Sequence, residues 1–270
     1  MTAGGAAGGR IGPGRTALVT GATSGIGAAF ARQLAGEGND LVLVARDLDR
    51  LEGTAAALRS AYGVQVEVLP ADLASESDTA AVRTRLSDVD RPVEMLVNSA
   101  GIGMRGAFWE TPLADQERMF HLNCTAVLRL SHAALGAMVP RGHGDIVVVS
   151  SVSGFAPTVR GSYGASKAWA TAFAESLSGQ LAGTGVHASA VVPGFVRTEF
   201  HGRAGLDMSK VPGFMWLKAE DVAATALRDH RAGKVLSIPG PQYKAIVVAS
   251  RLVPPSVNRR VTGLFRRLAL

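Results

Sequence analysis

The stretch TGATSGIG, residues 20–27, lies between an apolar run, Ala17 to Val19, and an Ala-rich segment that starts at Ala28. A short aliphatic run is typical of a buried parallel strand, and the segment after Gly25 has the composition of a helix. The glycines therefore fall at a strand-to-helix turn. Glycine lets the backbone turn sharply, and the free N–H groups of the new helix attract anions, so this turn is suited to a phosphate. The alternative is a turn that binds nothing.

Composition places the chain among globular proteins. It has 270 residues, of which 47% are apolar, and a single cysteine, Cys124. One cysteine excludes an intramolecular disulfide and favours a reducing compartment. We find no apolar run of the roughly 18 residues that a bilayer requires, and no signal-like N-terminus. We therefore expect a soluble, cytoplasmic protein.

The net charge of +6 comes from the C-terminal tail. From Lys244 onward there are six basic residues and no acidic ones, whereas residues 1–243 hold 22 of each sign. This balanced body argues against a nucleic-acid partner. Apolar residues of the tail recur at helical spacing between four arginines, which predicts a basic amphipathic helix that packs on the protein itself or on a second subunit; peripheral membrane contact is the alternative. The apolar residues are Val257, Val261, Leu264, Phe265 and Leu268.

Strand-like and helical segments alternate along the chain after a Gly/Ala-rich stretch, 1–14, which we expect to be a disordered leader. The strand-like runs are 17–20, 41–45, 64–69, 95–98, 146–150 and 188–192. This alternation predicts an α/β fold, a single doubly wound Rossmann-type parallel sheet with helices on both faces. We assign residues 15–240 to this domain and 241–270 to a basic helical extension.

Ligands of such sheets bind beyond the carboxyl ends of the strands, where this chain carries informative residues. Together these motifs resemble the classical short-chain dehydrogenase/reductase family over roughly residues 15 to 200. The motifs are Thr20–Gly27, Asp72, Asn98-Ser99-Ala100-Gly101, Asn123, Ser151, Tyr163-Gly164-Ala165-Ser166-Lys167 and Pro193-Gly194. The resemblance implies a nicotinamide-dependent oxidoreductase that interconverts a carbonyl and a secondary alcohol.

Tyr163 and Lys167 are four residues apart in a segment with helical composition, so both side chains lie on one helix face. For a tyrosine to exchange protons near neutrality its pKa must fall by roughly 3 units from about 10, and a neighbouring ammonium acts in that direction. The resemblance implies that Tyr163 is the general acid/base and that Lys167 also binds the nicotinamide ribose.

Two further catalytic residues follow from the resemblance. Ser151 would orient the substrate oxygen, although the usual spacing to the tyrosine favours Ser150, so the neighbouring serine remains the alternative. Asn123 would hold a water that connects Lys167 to solvent. An asparagine within a helix needs an explanation, because it competes for backbone hydrogen bonds.

The cofactor preference depends on the end of the second strand. An acidic residue there selects NAD(H), whereas an arginine is suited to the 2′-phosphate of NADP(H). Arg46 occupies that region, which predicts NADP(H), although Asp47 follows it. The expected cofactor-binding residues are Gly21, Thr23, Ser24, Gly25, Ile26, Gly27, Arg46, Asp72, Leu73, Asn98, Ala100, Gly101, Tyr163, Lys167, Pro193, Gly194, Val196 and Thr198.

The remaining expectations concern the substrate and the partners. Residues 199–218 correspond to the loop that covers the substrate in this family, and its apolar residues indicate either a lid or a buried patch. We expect a small carbonyl or alcohol substrate, no metal, and a homodimer or homotetramer. A non-catalytic NADP(H)-binding sensor or scaffold is the competing function.

Overall fold

The computed structural model describes residues 14–155 and 161–252. Nearly all of the predicted leader and the predicted amphipathic tail helix lie outside these residues. Within these residues, seven strands form the main sheet and two form a small second one. The strands are β1 (Thr16–Thr20), β2 (Asp40–Ala45), β3 (Val66–Pro70), β4 (Met95–Asn98), β5 (Gly144–Val149), β6 (Val186–Val191), β7 (Phe195–Val196), β8 (Trp216–Leu217) and β9 (Leu236–Ser237).

The main sheet is parallel throughout, in the order β3-β2-β1-β4-β5-β6-β9. The chain adds strands outward from β1 on one side and then from β4 on the other, as in a doubly wound sheet, which confirms the predicted fold. The six predicted strands are present. The seventh strand of the main sheet, β9, was not predicted, because two residues are too few for a periodic signal. Strands β7 and β8 pair with each other in the second sheet, at the edge of the predicted lid.

Helices cover both faces of the sheet. The helices are α1 (Gly25–Gly36), α2 (Leu48–Tyr62), α3 (Glu76–Leu86), α4 (Leu113–Phe120), α5 (Ala126–Arg141), α6 (Gly161–Gln180), α7 (Phe200–Arg203), α8 (Ala219–Arg231) and α9 (Pro241–Leu252). Successive residues of a strand point to opposite faces. Ala17 and Val19 therefore pack towards α1 and α8, whereas Leu18 packs towards α3, α5 and α6.

Local sequence signals mark several helix ends. The Asp47 carboxylate accepts a hydrogen bond from the Arg50 amide at 3.0 Å and so caps the start of α2. Gly63, with a φ of +70°, ends the same helix in the left-handed region. The Asp47 cap makes α2 begin directly after β2, in the region where the sequence analysis places the residues that select the cofactor.

The run Leu113–Arg141 is long and apolar enough to pass a length-and-composition test for a membrane-spanning helix, and 44% of its most apolar window is buried. The sequence analysis found no apolar run of this length, so the structure differs from it here. Leu130 and Met138 of this run are fully buried and pack in the core beneath the sheet. We therefore interpret the run as a core helix.

Candidate active site

A cavity of about 2150 Å³ opens at the carboxyl ends of the strands. It is bounded by the glycine turn, the ends of β2 to β5, α6, the 199–218 segment and α9. The predicted site residues that line it are Gly21, Thr23, Ser24, Gly25, Ile26, Gly27, Arg46, Asp72, Leu73, Ala100, Gly101, Ser151, Tyr163, Lys167, Pro193, Gly194, Val196 and Thr198. Asn98 and Asn123 are the two predicted residues that do not line it.

The glycine turn between β1 and α1 has a geometry that requires glycine. Gly21 and Gly25 have φ values of +68° and +54°, and a Cβ at Gly27 would lie 2.3 Å from the Gly21 carbonyl oxygen. Ser24 precedes α1, its side chain makes no capping hydrogen bond, and the first turn of α1 contains no acidic residue. The first N–H groups of α1 are therefore available to an anion bound at the turn.

The chain after β4 is held against this turn from two sides. The Thr20 hydroxyl accepts hydrogen bonds from the amides of Ser99 and Ala100 at 2.9 and 3.0 Å. Asn98 itself is buried, and its side-chain amide donates to the Ser131 hydroxyl at 3.2 Å. Asn98 thus lies behind the cavity wall, where it anchors the end of β4 to α5, and Ala100 and Gly101 form the wall in its place.

The end of β2 presents two arginines to the cavity. Arg46 is exposed and lines the cavity, whereas one carboxylate oxygen of Asp47 is engaged in capping α2. Arg50, which the sequence analysis missed, also lines the cavity and donates to the Thr23 carbonyl at 3.1 Å and to both carboxylate oxygens of Glu199. The sequence gives no signal for Arg50, because a half-buried arginine on the first turn of a surface helix is common.

Asp72 follows β3 and is held by its neighbours. Its carboxylate accepts from the Arg118 guanidinium at 2.6 Å and from the Ala74 amide at 3.1 Å. Although partial burial acts to raise the pKa of Asp72, these hydrogen bonds outweigh it, and the pKa lies below its usual value. Asp72 is therefore an ionised acceptor at the cavity wall.

Tyr163 and Lys167 lie on successive turns of α6, and both are buried. The Lys167 ammonium is 5.9 Å from the Tyr163 ring centroid and donates to the Val149 carbonyl at 2.9 Å. Burial lowers the pKa of Lys167 from 10.5 to about 8, because the charged form loses its hydration. Gly101 leaves room for this side chain, since a Cβ there would approach the Lys167 nitrogen to 3.4 Å.

The two adjacent serines at the end of β5 have different surroundings. The Ser150 hydroxyl donates to the Lys167 carbonyl at 2.7 Å and lies 2.7 Å from the Thr171 hydroxyl. The Ser151 hydroxyl accepts from the Ser153 amide at 3.1 Å. Because Ser150 is engaged with the backbone of α6, Ser151 is better suited to meet a substrate.

Asn123 lies in a single π-helical turn, His121–Thr125, between α4 and α5. Its side chain is buried, accepts from the Ile102 amide at 3.0 Å, and donates to the Ile102 carbonyl at 3.0 Å and the Ser166 hydroxyl at 3.2 Å. These bonds explain a polar residue within a helix, since the π-turn directs it towards the chain after β4. The side chain therefore ties that chain to α6 beside Lys167.

The 199–218 segment forms one side of the cavity. Thr198 packs on the glycine turn, where a Cβ at Gly25 would lie 2.9 Å from its methyl group. The Phe200 ring is 5.7 Å from the Tyr163 ring between centroids. Met208 and Met215 line the cavity, whereas Phe214 is exposed, so the segment borders the cavity at some positions and faces solvent at others.

Within the described ranges, no group of three or more His, Cys, Asp or Glu side chains is placed to hold a metal ion. The cavity instead combines an anion-binding helix start, an arginine, and a buried Tyr/Lys pair. These groups suit a phosphate-bearing cofactor and a proton-exchanging reaction.

A family model for short chain dehydrogenases matches residues 15–208, which is more than two thirds of the chain. The protein therefore belongs to the short-chain dehydrogenase/reductase family and is an oxidoreductase that uses a nicotinamide cofactor. A ketoacyl reductase of Nostoc sp. is 35% identical over 184 residues, which are 68% of this chain and 64% of that relative. The matched region thus falls just short of two thirds of that relative's length.

Solved structures of family members are similar to this chain over most of its length. A Sphingobium yanoikuyae short-chain dehydrogenase in complex with NADPH is 39% identical, with a TM-score of 0.81 over 88% of this chain and 93% of that one. A bulky-bulky ketone specific alcohol dehydrogenase of Comamonas testosteroni is 33% identical, with a TM-score of 0.77 and coverage of 88% and 92%. A Burkholderia phymatum family member in complex with NAD is 27% identical, with a TM-score of 0.77 and coverage of 87% and 92%.

Proposed function

We propose that this protein is an NADP(H)-dependent oxidoreductase that interconverts a carbonyl and a secondary alcohol, with Tyr163 as the general acid/base. One observation carries the proposal: the buried Tyr163 and Lys167 line the same cavity as Ser151 and the glycine turn. Residues 15–240 form the catalytic domain in this proposal, and the protein acts in the cytoplasm.

The cavity wall fits a dinucleotide. The uncapped start of α1 would meet the pyrophosphate, the Asp72 carboxylate would accept from the adenine amino group, and Val196 and Thr198 would border the nicotinamide. When bound, the nicotinamide donates or accepts the hydride. Tyr163 and Lys167 are positioned by α6 on the side of the cavity that carries Ser151.

The protein's own side chains would handle the proton and the substrate oxygen. The Ser151 hydroxyl hydrogen-bonds that oxygen and orients it, and Tyr163 delivers a proton to it during reduction or removes one during oxidation. The Lys167 ammonium favours the ionised form of the tyrosine. Asn123 keeps the chain beside Lys167 in place through its bonds to Ile102.

Replacing Tyr163 by phenylalanine tests the catalytic assignment. Because general acid/base catalysis contributes about 10²- to 10⁴-fold, NADPH oxidation with a panel of ketones should fall by that factor, while NADPH binding measured by fluorescence stays within about twofold. Tyr62→Phe, on the exposed end of α2, is the matched control. If the wild-type protein binds NADPH but turns over no carbonyl or alcohol, the non-catalytic sensor or scaffold is favoured.

The preference for NADP(H) rests on Arg46. It lines the cavity next to the end of β2, and Asp47 already accepts a hydrogen bond from the α2 backbone. Arg46→Ala should raise the KM for NADPH about tenfold or more, as expected for a lost charge-assisted hydrogen bond, with little change for NADH. Arg228→Ala, on the exposed face of α8, is the control. Equal use of NADH and NADPH by the wild type would contradict this preference.

We further propose a homodimer or homotetramer. Leu113, Phe120 and Leu128 leave 69%, 54% and 47% of their surface exposed along the α4–α5 run, which favours a protein partner there. Light scattering behind size exclusion should give two or four chains. A monomer at micromolar concentration, or a mass unchanged by Leu113→Glu and Phe120→Glu together, would refute assembly through this surface.

A further inference from the structure

Two neighbouring side chains of α9 bind two successive carbonyls at the end of the lid. The Gln242 amide donates to the Phe214 carbonyl at 3.1 Å, and the Tyr243 hydroxyl donates to the Met215 carbonyl at 2.5 Å. The same hydroxyl accepts from the Phe195 amide at 3.0 Å. The phenol of Tyr243 therefore bridges both ends of the segment that runs from β7 to β8.

The Tyr243 ring is fixed as firmly as its hydroxyl. The residue is 1% exposed, and a Cβ at Gly194 would lie 1.9 Å from its Cζ. Gly194 is thus required here by contact with Tyr243, in addition to any contact with a cofactor. β7 and β8 pair directly beside this ring, with Phe195 opposite Trp216.

The next turns of α9 reach the cavity itself. Ile246, Ala249 and Ser250 line it from the C-terminal side, while Met208 and Met215 line it from the lid. The hydrogen bonds of Gln242 and Tyr243 therefore join two walls of one pocket that are distant in sequence. The sequence analysis assigned the helix on which they lie to an extension outside the catalytic domain.

We propose that Gln242 and Tyr243, here called the α9 clamp, are positioning residues for the oxidoreductase reaction. They fix the base of the lid to α9, so that the pocket between Met215 and Ile246 keeps one shape around the carbonyl substrate. This inference rests on the proposed function. The clamp acts through the lid and touches no reacting atom.

Tyr243→Phe removes the hydroxyl and keeps the ring that fills the space beside Gly194. The Phe195 N–H and the Met215 carbonyl then lose a buried partner. The kcat/KM for a bulky ketone should fall about tenfold, mainly through KM, while the NADPH dissociation constant and the pH profile of kcat stay unchanged. Gln242→Ala, at a half-buried position, should give a smaller change of the same kind, and Tyr62→Phe should give none.

Hydrogen exchange tests the clamp without any turnover. Peptides that cover residues 195–216 should exchange faster in Tyr243→Phe than in wild type, with peptides of α1 and α6 unaffected. Unchanged exchange there, or equal losses in NADPH binding and ketone KM, would overturn the proposal. If the wild type reduces no ketone, the proposed function fails, and the exchange result alone still decides whether the clamp holds the lid.

Discussion

Replacing Lys167 by methionine should stabilise the folded protein, and it should remove the ammonium that the proposed mechanism requires. Lys167 is 6% exposed, and the Val149 carbonyl accepts a hydrogen bond from its ammonium at 2.9 Å. Burial lowers its pKa from 10.5 to about 8. Methionine keeps an unbranched apolar stem and removes the charge.

The magnitude follows from the pKa difference between the unfolded and folded states. The pKa of Lys167 falls from 10.5 in the unfolded state to about 8 in the folded state. At about 1.36 kcal/mol for each pH unit, this difference of about 2.5 means that the buried charge costs about 3 kcal/mol at pH 7. Below pH 8 both states bind the proton and the full cost is present. Between pH 8 and 10.5 the folded state releases its proton first, so the stability of the wild type rises with pH through this window.

Urea denaturation of both proteins at pH 7 and pH 10 measures this difference. At pH 7 Lys167→Met should be more stable by about 2 kcal/mol, since the lost hydrogen bond to Val149 offsets about 1 kcal/mol of the gain. Most of this advantage should disappear by pH 10. Lys244→Met, on the exposed side of α9, should show no such pH dependence. A stability difference that is the same at both pH values would refute the reasoning.

Two further substitutions test packing away from Tyr163 and Lys167. Gly194→Ala should lower the free energy of unfolding by about 1–3 kcal/mol, because the new methyl group overlaps the Tyr243 ring. Gly202→Ala is the control, since nothing lies within 4 Å of a Cβ there. Equal melting temperatures of the two variants would contradict this prediction. His230→Ala should destabilise by about 3 kcal/mol, since it leaves the Asp145 carboxylate, bonded at 2.7 Å, without its buried partner. Its specific activity per folded molecule should stay at the wild-type value, and a selective loss of activity would refute a purely structural role.

The parts of the fold that the sequence predicts are those encoded locally. Buried strands such as β1 and β5 each contain a short aliphatic run, and the spacing of Tyr163 and Lys167 on one helix face is fixed by the helical repeat. By contrast, Arg50 and Tyr243 gain their importance from partners 149 and 48 residues away in the chain. Single-sequence periodicity carries no information on such contacts, and a two-residue strand such as β9 is set by its neighbour.

Ser150 fixes the helix that carries Tyr163 and Lys167 to the end of β5. Tyr163, Lys167 and Thr171 occupy successive turns of that helix, and Ser150 contacts both the Lys167 carbonyl and the Thr171 hydroxyl at 2.7 Å. Both serines line the cavity, but the Ser150 hydroxyl joins the end of β5 to α6, whereas the Ser151 hydroxyl accepts from the Ser153 amide. In the proposed mechanism, Ser150 therefore positions Tyr163 through α6, and Ser151 binds the substrate oxygen.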